Sequence, residues 1–215
     1  KTVECEKNGI QLIHIFEDEW YNRQDIVKSI LLAKMGKISN RIYARKCEIR
    51  EVDREESLGF LFDNHLQGEI DGCAIGLYYN NELVTLLVYG KPRFNKKYDI
   101  EILRFCNKKN VVVIGGLSKL VAKLSGKIVS YCDMRYSNGA GYLGAGFREK
   151  GRSGPNYWYL GSTSRINRMQ FQKHLLKEKL ESFDGEMSEW ENMQLNGYDR
   201  IWDCGNLIFE YGAER

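Results

Sequence analysis

The stretch Lys127–Phe147, KIVSYCDMRYSNGAGYLGAGF, decides the fold. Its first half, Lys127–Asp133, is an apolar run of strand length that ends on an acid. Its second half opens on the helix-capping pair Ser137–Asn138 and runs through Tyr142 to Gly146–Phe147. A buried strand that ends in a polar loop and feeds a helix brings side chains and backbone N–H groups to one edge of a sheet. That edge is where α/β proteins usually hold a site.

Upstream, Lys108–Lys109–Asn110 leads into a short strand, Val111–Ile114. Gly115–Gly116 then opens a helix whose apolar face is Leu117, Leu120, Val121 and Leu124. Asp99–Cys106 reads as a strand, and Cys73–Tyr79 and Leu83–Tyr89 as a hairpin turned by Asn80–Asn81. Asp53–Glu56 caps a helix that ends near His65, and Arg41–Val52 reads as a strand with a basic face. At the N-terminus, Ile10–Phe16 reads as a buried strand and Glu17–Glu19 as the acidic start of a helix closed by Gly36. Downstream come a basic glycine-rich loop (Arg148–Gly154), a strand (Pro155–Leu160) and a helix (Arg165–Leu180). Strands Tyr198–Cys204 and Leu207–Tyr211 read as a hairpin about Gly205–Asn206.

The 215 residues are 43% hydrophobic with only two prolines, enough for a packed core and little room for a disordered linker. A net charge of +3 permits a nucleic-acid partner without demanding one. Six scattered cysteines form no CxxC and the three histidines stand far apart, so reduced core cysteines are expected and no metal site. No apolar run approaches the ~18 residues of a membrane span. Neither a P-loop nor the spacing of a Ser–His–Asp or Cys–His triad is present. The chain begins at Lys1 within sequence that reads as structured, as a fragment of a longer protein would.

From Arg41 to Tyr159 the order strand, helix, hairpin, strand, helix, strand, helix, strand resembles the GNAT acyltransferase fold. The run Tyr142-Leu-Gly-Ala-Gly-Phe147 is similar to that family's Tyr-x-x-x-Gly-Phe ending. The resemblance implies an α/β (α+β) fold with a mixed, mostly antiparallel sheet flanked by helices. A GNAT-like core would span 41–164, after an N-terminal strand–helix extension (1–40) and before a basic helix and C-terminal hairpin (165–215). It implies an acyl-CoA cofactor near Arg104, Gly115, Gly116 and Ser118. Where the family has Gln/Arg-x-x-Gly-x-Gly/Ala, however, this chain has Lys109-Asn-Val-Val-Val-Ile-Gly115-Gly116.

Two narrower resemblances point to DNA. Arg104, Ser118, Ser130-Tyr-Cys-Asp133, Gly141-Tyr142 and His65 resemble features of Mom-type phage DNA-modification proteins. Gly9–Trp20, Ile42–Cys47, Gly115–Lys119 and Gly197–Asn206 resemble the region downstream of the nuclease domain in Vsr-like phage homing endonucleases. They imply transfer of a small acyl-type group to a DNA base, or alternatively a non-catalytic DNA-recognition domain, in the cytoplasm of a phage-infected host. An acetyltransferase for a protein or small amine is a third reading.

Within this frame Asp133, Tyr142 and His65 are the expected catalytic residues: two groups to move protons and a tyrosine to protonate a leaving group. Arg104, inside an apolar strand, needs either Asp133 or a ligand anion as its partner. From Arg148 to Lys179 eight Lys/Arg face two acids, which makes Arg148, Lys150, Arg152, Arg165, Arg168 and Lys173 the expected DNA contacts.

Overall fold

A computed structural model describes residues 1–161 and 164–212. Its centre is a seven-stranded sheet made of β2 (Glu48–Glu51), β3 (Cys73–Tyr79), β4 (Glu82–Gly90), β5 (Ile100–Asn107), β7 (Ile128–Asp133), β12 (Asn206–Tyr211) and β8 (Arg148–Arg152), in that spatial order. All neighbours are antiparallel except β5 and β7. The hairpin β3–β4 turns where expected, with Asn80 and Asn81 both at positive φ (51° and 63°), as a two-residue turn of that twist requires.

Each face of the sheet carries its own helix. Helix α4 (Arg54–Asn64) has the Asp53 side chain accepting from the Glu56 N–H, and it buries Leu61 against Leu86 and Val88. Helix α5 (Gly116–Val121) buries Leu117, Leu120 and Val121 against Leu77, Leu87 and Ile128 on the other face. Leu61, Leu77, Leu86, Leu87 and Leu120 are fully buried, and such side chains contribute roughly 1.5–3 kcal/mol each. This is the expected mixed, mostly antiparallel sheet flanked by helices. Among the described residues no helix is long and apolar enough to cross a membrane.

Four local expectations are corrected. Arg41–Val52 is two strands, β1 (Arg41–Tyr43) and β2, broken by a 3-10 turn at Ala44–Lys46; β1 pairs in parallel with β6 (Val112–Ile114). Ile10–Phe16 forms no strand. It is an irregular segment between α1 (Thr2–Lys7) and α2 (Glu17–Asn22), lies beside α3 (Gln24–Lys34), and is held by a backbone hydrogen bond from His14 N–H to the Arg135 carbonyl.

Arg165–Leu180 is not one helix. It divides into β10 (Arg165–Asn167), two 3-10 turns and a short α7 (Leu176–Lys179). Asn167 caps the first turn, Gln172 is extended (φ −63°, ψ 143°), and the buried Phe171, Leu176 and Leu180 are spaced by five and four residues.

The C-terminal strands do not form a hairpin. β11 (Arg200–Trp202) joins β9 (Tyr157–Leu160) and β10 in a separate three-stranded sheet, while β12 enters the main sheet between β7 and β8. Gly205 makes the crossing, at φ +75° and so close to the Ser153 carbonyl that a Cβ there would sit 2.3 Å from it. The last strand, expected in an appendage, is therefore integral to the core.

Candidate functional site

Strands β5 and β7 pair over three positions only, Ile100–Ile102 against Ile128–Ser130. Beyond them β5 follows β4 to Asn107 and β7 follows β12 to Asp133, so the two strands part into a wedge. A bulge assists: Val88 faces Arg104 and Tyr89 faces Ile102, which leaves Leu103 as the extra residue and Arg104 on the α4 face with Val88. The wedge encloses about 170 Å³ and is lined by His65, Gln67, Arg104, Ser130, Tyr131, Asp133, Tyr136 and Tyr142, among others. The opening stretch of the sequence thus supplies one wall.

Arg104 Nη1–H donates to its neighbour's carbonyl, Leu103 O, at 2.8 Å, and Nε–H to Gly68 O at 3.3 Å. Asp133 is not its partner, and no carboxylate among the described residues lies within ion-pair distance of it. Burial pushes its pKa down, with Tyr136 acting the other way. Glu101, three residues earlier in β5, is fully buried on Arg93 instead, at 2.6 Å.

His65 follows α4. The Gln67 N–H donates to its Nδ1 at 3.1 Å, so the neutral ring carries its proton on Nε2. Burial first, then the Arg104 and Arg23 cations, lower its pKa to about 3. It is therefore a neutral N–H donor at physiological pH, which corrects the expectation of a proton-accepting base.

Asp133 ends β7 at the sheet edge as expected, but its carboxylate is engaged. Oδ2 accepts from Arg135 Nη2 (2.8 Å) and Nε (3.1 Å) and from Gln67 Nε2 (3.2 Å), while Oδ1 accepts from the Arg135 backbone N–H. Arg135 is only 3% exposed and also donates to Glu19, which in turn accepts from Arg165. Arg165 completes the chain on Asp18 at 2.9 Å. Both guanidinium groups lie against the Phe16 ring, at 4.4 and 3.8 Å from its centroid. Asp133 thus orients the wall of the wedge. Burial alone would lower the Arg135 pKa; Asp133 and Glu19 together outweigh it and raise it. Sequence reading missed this network because Glu19 lies 116 residues from Arg135.

The Tyr142 hydroxyl accepts from Ser130 Oγ at 2.9 Å, and its ring stacks on Phe209 at 5.0 Å. Burial pushes its pKa up to about 12, so it stays protonated. His65, Arg104, Asp133 and Tyr142 are brought together. Gly115, Gly116 and Ser118 are not with them: Gly115 and Ser118 line a shallow surface with Tyr43, Arg45 and Lys119 that shares no residue with the wedge. Gly116 packs towards Val113 and Thr85.

A coenzyme A pyrophosphate would need free backbone N–H groups in the loop after β5. Here Lys109 N–H donates to Asn64 Oδ1 (2.8 Å), Asn110 N–H to Ser29 Oγ (2.9 Å), Val111 N–H to Lys108 O and Val112 N–H to Asn40 O. The N–H groups of these four residues are thus spent within the chain, and a pyrophosphate would be left with the start of α5, beside Gly115, Ser118 and Lys119.

The expected DNA contacts are dispersed and mostly paired. Arg152 chelates Glu6, Lys150 meets Glu210, Arg165 is buried in the network above, and Arg168 lies over the Tyr157 ring. Lys173 is exposed on a 3-10 turn and Arg148 is exposed on β8. Arg165 is corrected outright: with a 15% exposed side chain it holds acids and cannot hold phosphate. Among the described residues no group of three or more His, Cys, Asp or Glu could hold a metal ion.

No family model matches this chain, and no curated protein matches it. Among solved structures, an acetyltransferase from Bacillus subtilis in complex with CoA is similar at a TM-score of 0.39 and 14% identity, over 77% of this chain and 97% of that one. The comparisons add nothing to the Mom-type and Vsr-like resemblances.

Proposed function

We propose that this chain is a GNAT-like group-transfer protein, with the wedge between β5 and β7 as its active site. The observation that supports this best is a half-buried guanidinium, Arg104, held between parting strands without a carboxylate and beside a neutral histidine. In this reading Arg104 orients an anionic group of the donor. The His65 Nε2–H donates to the oxygen on which charge develops as an amine attacks an acyl-type carbon. Tyr142, still protonated at neutral pH, gives a proton to the leaving group as the acyl–donor bond breaks, and it regains one, through solvent, from the nitrogen of the attacking amine. Asp133, fixed by Arg135, positions the wall and takes no proton.

The finer form of the proposal has an exocyclic amine of a DNA base as acceptor, as the Mom-type resemblance implies. Incubation of the protein with DNA and a panel of activated acyl donors, followed by digestion to nucleosides and mass spectrometry, tests it. A modified nucleoside is expected. Modification confined to a free-amine acceptor in the same reactions would move the acceptor away from DNA, and no product on any acceptor would end the transfer reading. A pure DNA-recognition role draws less support, because Lys150, Arg152 and Arg165 are already neutralised by acids of the chain.

A further inference from the structure

Helix α3 packs behind one wall of the wedge. Ile26 and Val27 of α3 are buried with Leu66, and Ile30, Leu31 and Tyr136 pack around them. Tyr136 is itself a wall of the wedge, and Leu66 lies between two others, His65 and Gln67. Arg23, just before α3, donates to the carbonyls of Phe62 and His65. Asp25 holds Lys109, and Ser29 accepts from the Asn110 N–H. Helix α3 is therefore bound both to the turn after α4 and to the loop after β5. The enclosed volume, about 170 Å³, is below the roughly 300–1,000 Å³ of sites that surround a drug-sized ligand.

Inside, Arg104 has five N–H donors and spends two on backbone carbonyls. Among the described residues its Nη2 finds no hydrogen-bond partner. A half-buried guanidinium is costly to leave without a counter-charge. Its remaining N–H edge suits the two oxygens of a carboxylate or phosphate. The His65 Nε2–H adds a neutral donor to the same cleft, one that an anion accepts and a cation does not.

We infer that the wedge takes a compact anion, the carboxylate or phosphate head of a small molecule, on Arg104 and His65, and is too small for a nucleotide-sized carrier. This rests on the wedge being the site proposed above, but it concerns binding and needs no turnover.

The test is calorimetric titration of the whole chain with sodium phosphate, acetate, malonate and coenzyme A at constant ionic strength. It is paired with nitrogen-15 spectra of the arginine Nε–H groups in the wild-type protein, so that the reading survives a variant that fails to fold. At least one compact anion is expected to shift the Arg104 Nε–H signal and to bind at least tenfold more tightly than to Arg104→Gln, with Lys177→Gln, an exposed charge on α7, unchanged. Coenzyme A is expected to bind no more tightly than inorganic phosphate. Equal binding of every compact anion to wild type and Arg104→Gln, an unmoved Arg104 signal, or tighter binding of coenzyme A would overturn the inference. If a compact anion binds through Arg104 and no donor yields product, the transfer reading fails and this one stands. If an acyl-CoA supports transfer, this one fails and transfer stands.

Discussion

Replacing Arg135 with methionine tests the network that holds the wedge wall. The substitution keeps most of the side-chain volume and removes the charge between Asp133 and Glu19, whose side chains are 10% and 5% exposed. Breaking a buried pair by removing one partner costs about 3–5 kcal/mol, since the acid left behind must stay charged without a partner or take up a proton. Glu19 keeps Arg165 at 2.9 Å, so the loss falls mainly on Asp133, which retains only Gln67 and one backbone N–H. The lower end, about 3 kcal/mol, is therefore expected. At about 2–4 °C per kcal/mol for a chain of this size, the melting point should fall by about 6–12 °C. Lys7→Ala, at a pair whose side chains are 66% and 72% exposed, should cost less than about 1 kcal/mol. Denaturant unfolding of the three proteins decides it. A loss below about 1 kcal/mol for Arg135→Met in a folded protein would refute the claim that these charges are interdependent.

Three further outcomes follow from single positions. His65 should show no protonation in imidazole NMR between pH 5 and 8. Because the unfolded chain binds this proton near pH 6.5 and the folded chain only near 3, its contribution to stability is full above 6.5 and declines as pH falls from there towards 3. Gly139→Ala places a Cβ 2.3 Å from the Phe209 ring at φ +76°, so it should destabilise by more than about 3 kcal/mol, read from denaturant midpoints. Of the six thiols, exposed Cys73 should react fastest with a disulfide reagent at pH 8, and Cys106, pushed up to about 12 by burial, should resist until the protein unfolds.

Much of the core was legible because its signals are local. The hairpin at Asn80–Asn81, the strand that carries Arg104 and the strand that ends on Asp133 each follow from a run of apolar residues and its punctuation. What was not legible depended on partners far away in sequence. Ile10–Phe16 has the apolar pattern of a strand, but no sheet edge is offered to it, and it lies along α3 instead. The pair around Gly205 reads as a hairpin until the Ser153 carbonyl is seen against it, and then the chain must switch sheets. In the wedge, Arg104, His65, Asp133 and Tyr142, singled out by residue type, line one cleft, yet two of them carry hydrogen bonds that no spacing reveals. The Gln67 N–H makes His65 a donor, and Arg135 occupies Asp133.

The measurement that bears most directly on the central claim is the rate of group transfer by wild type and by Arg104→Gln, both confirmed as folded, with whichever donor the nucleoside and free-amine assays identify. If the wedge between β5 and β7 is the site, removing the Arg104 cation from it should slow transfer at least 100-fold, about 2.7 kcal/mol of lost transition-state stabilisation. Equal rates for the two proteins would contradict it and place the chemistry elsewhere on the fold.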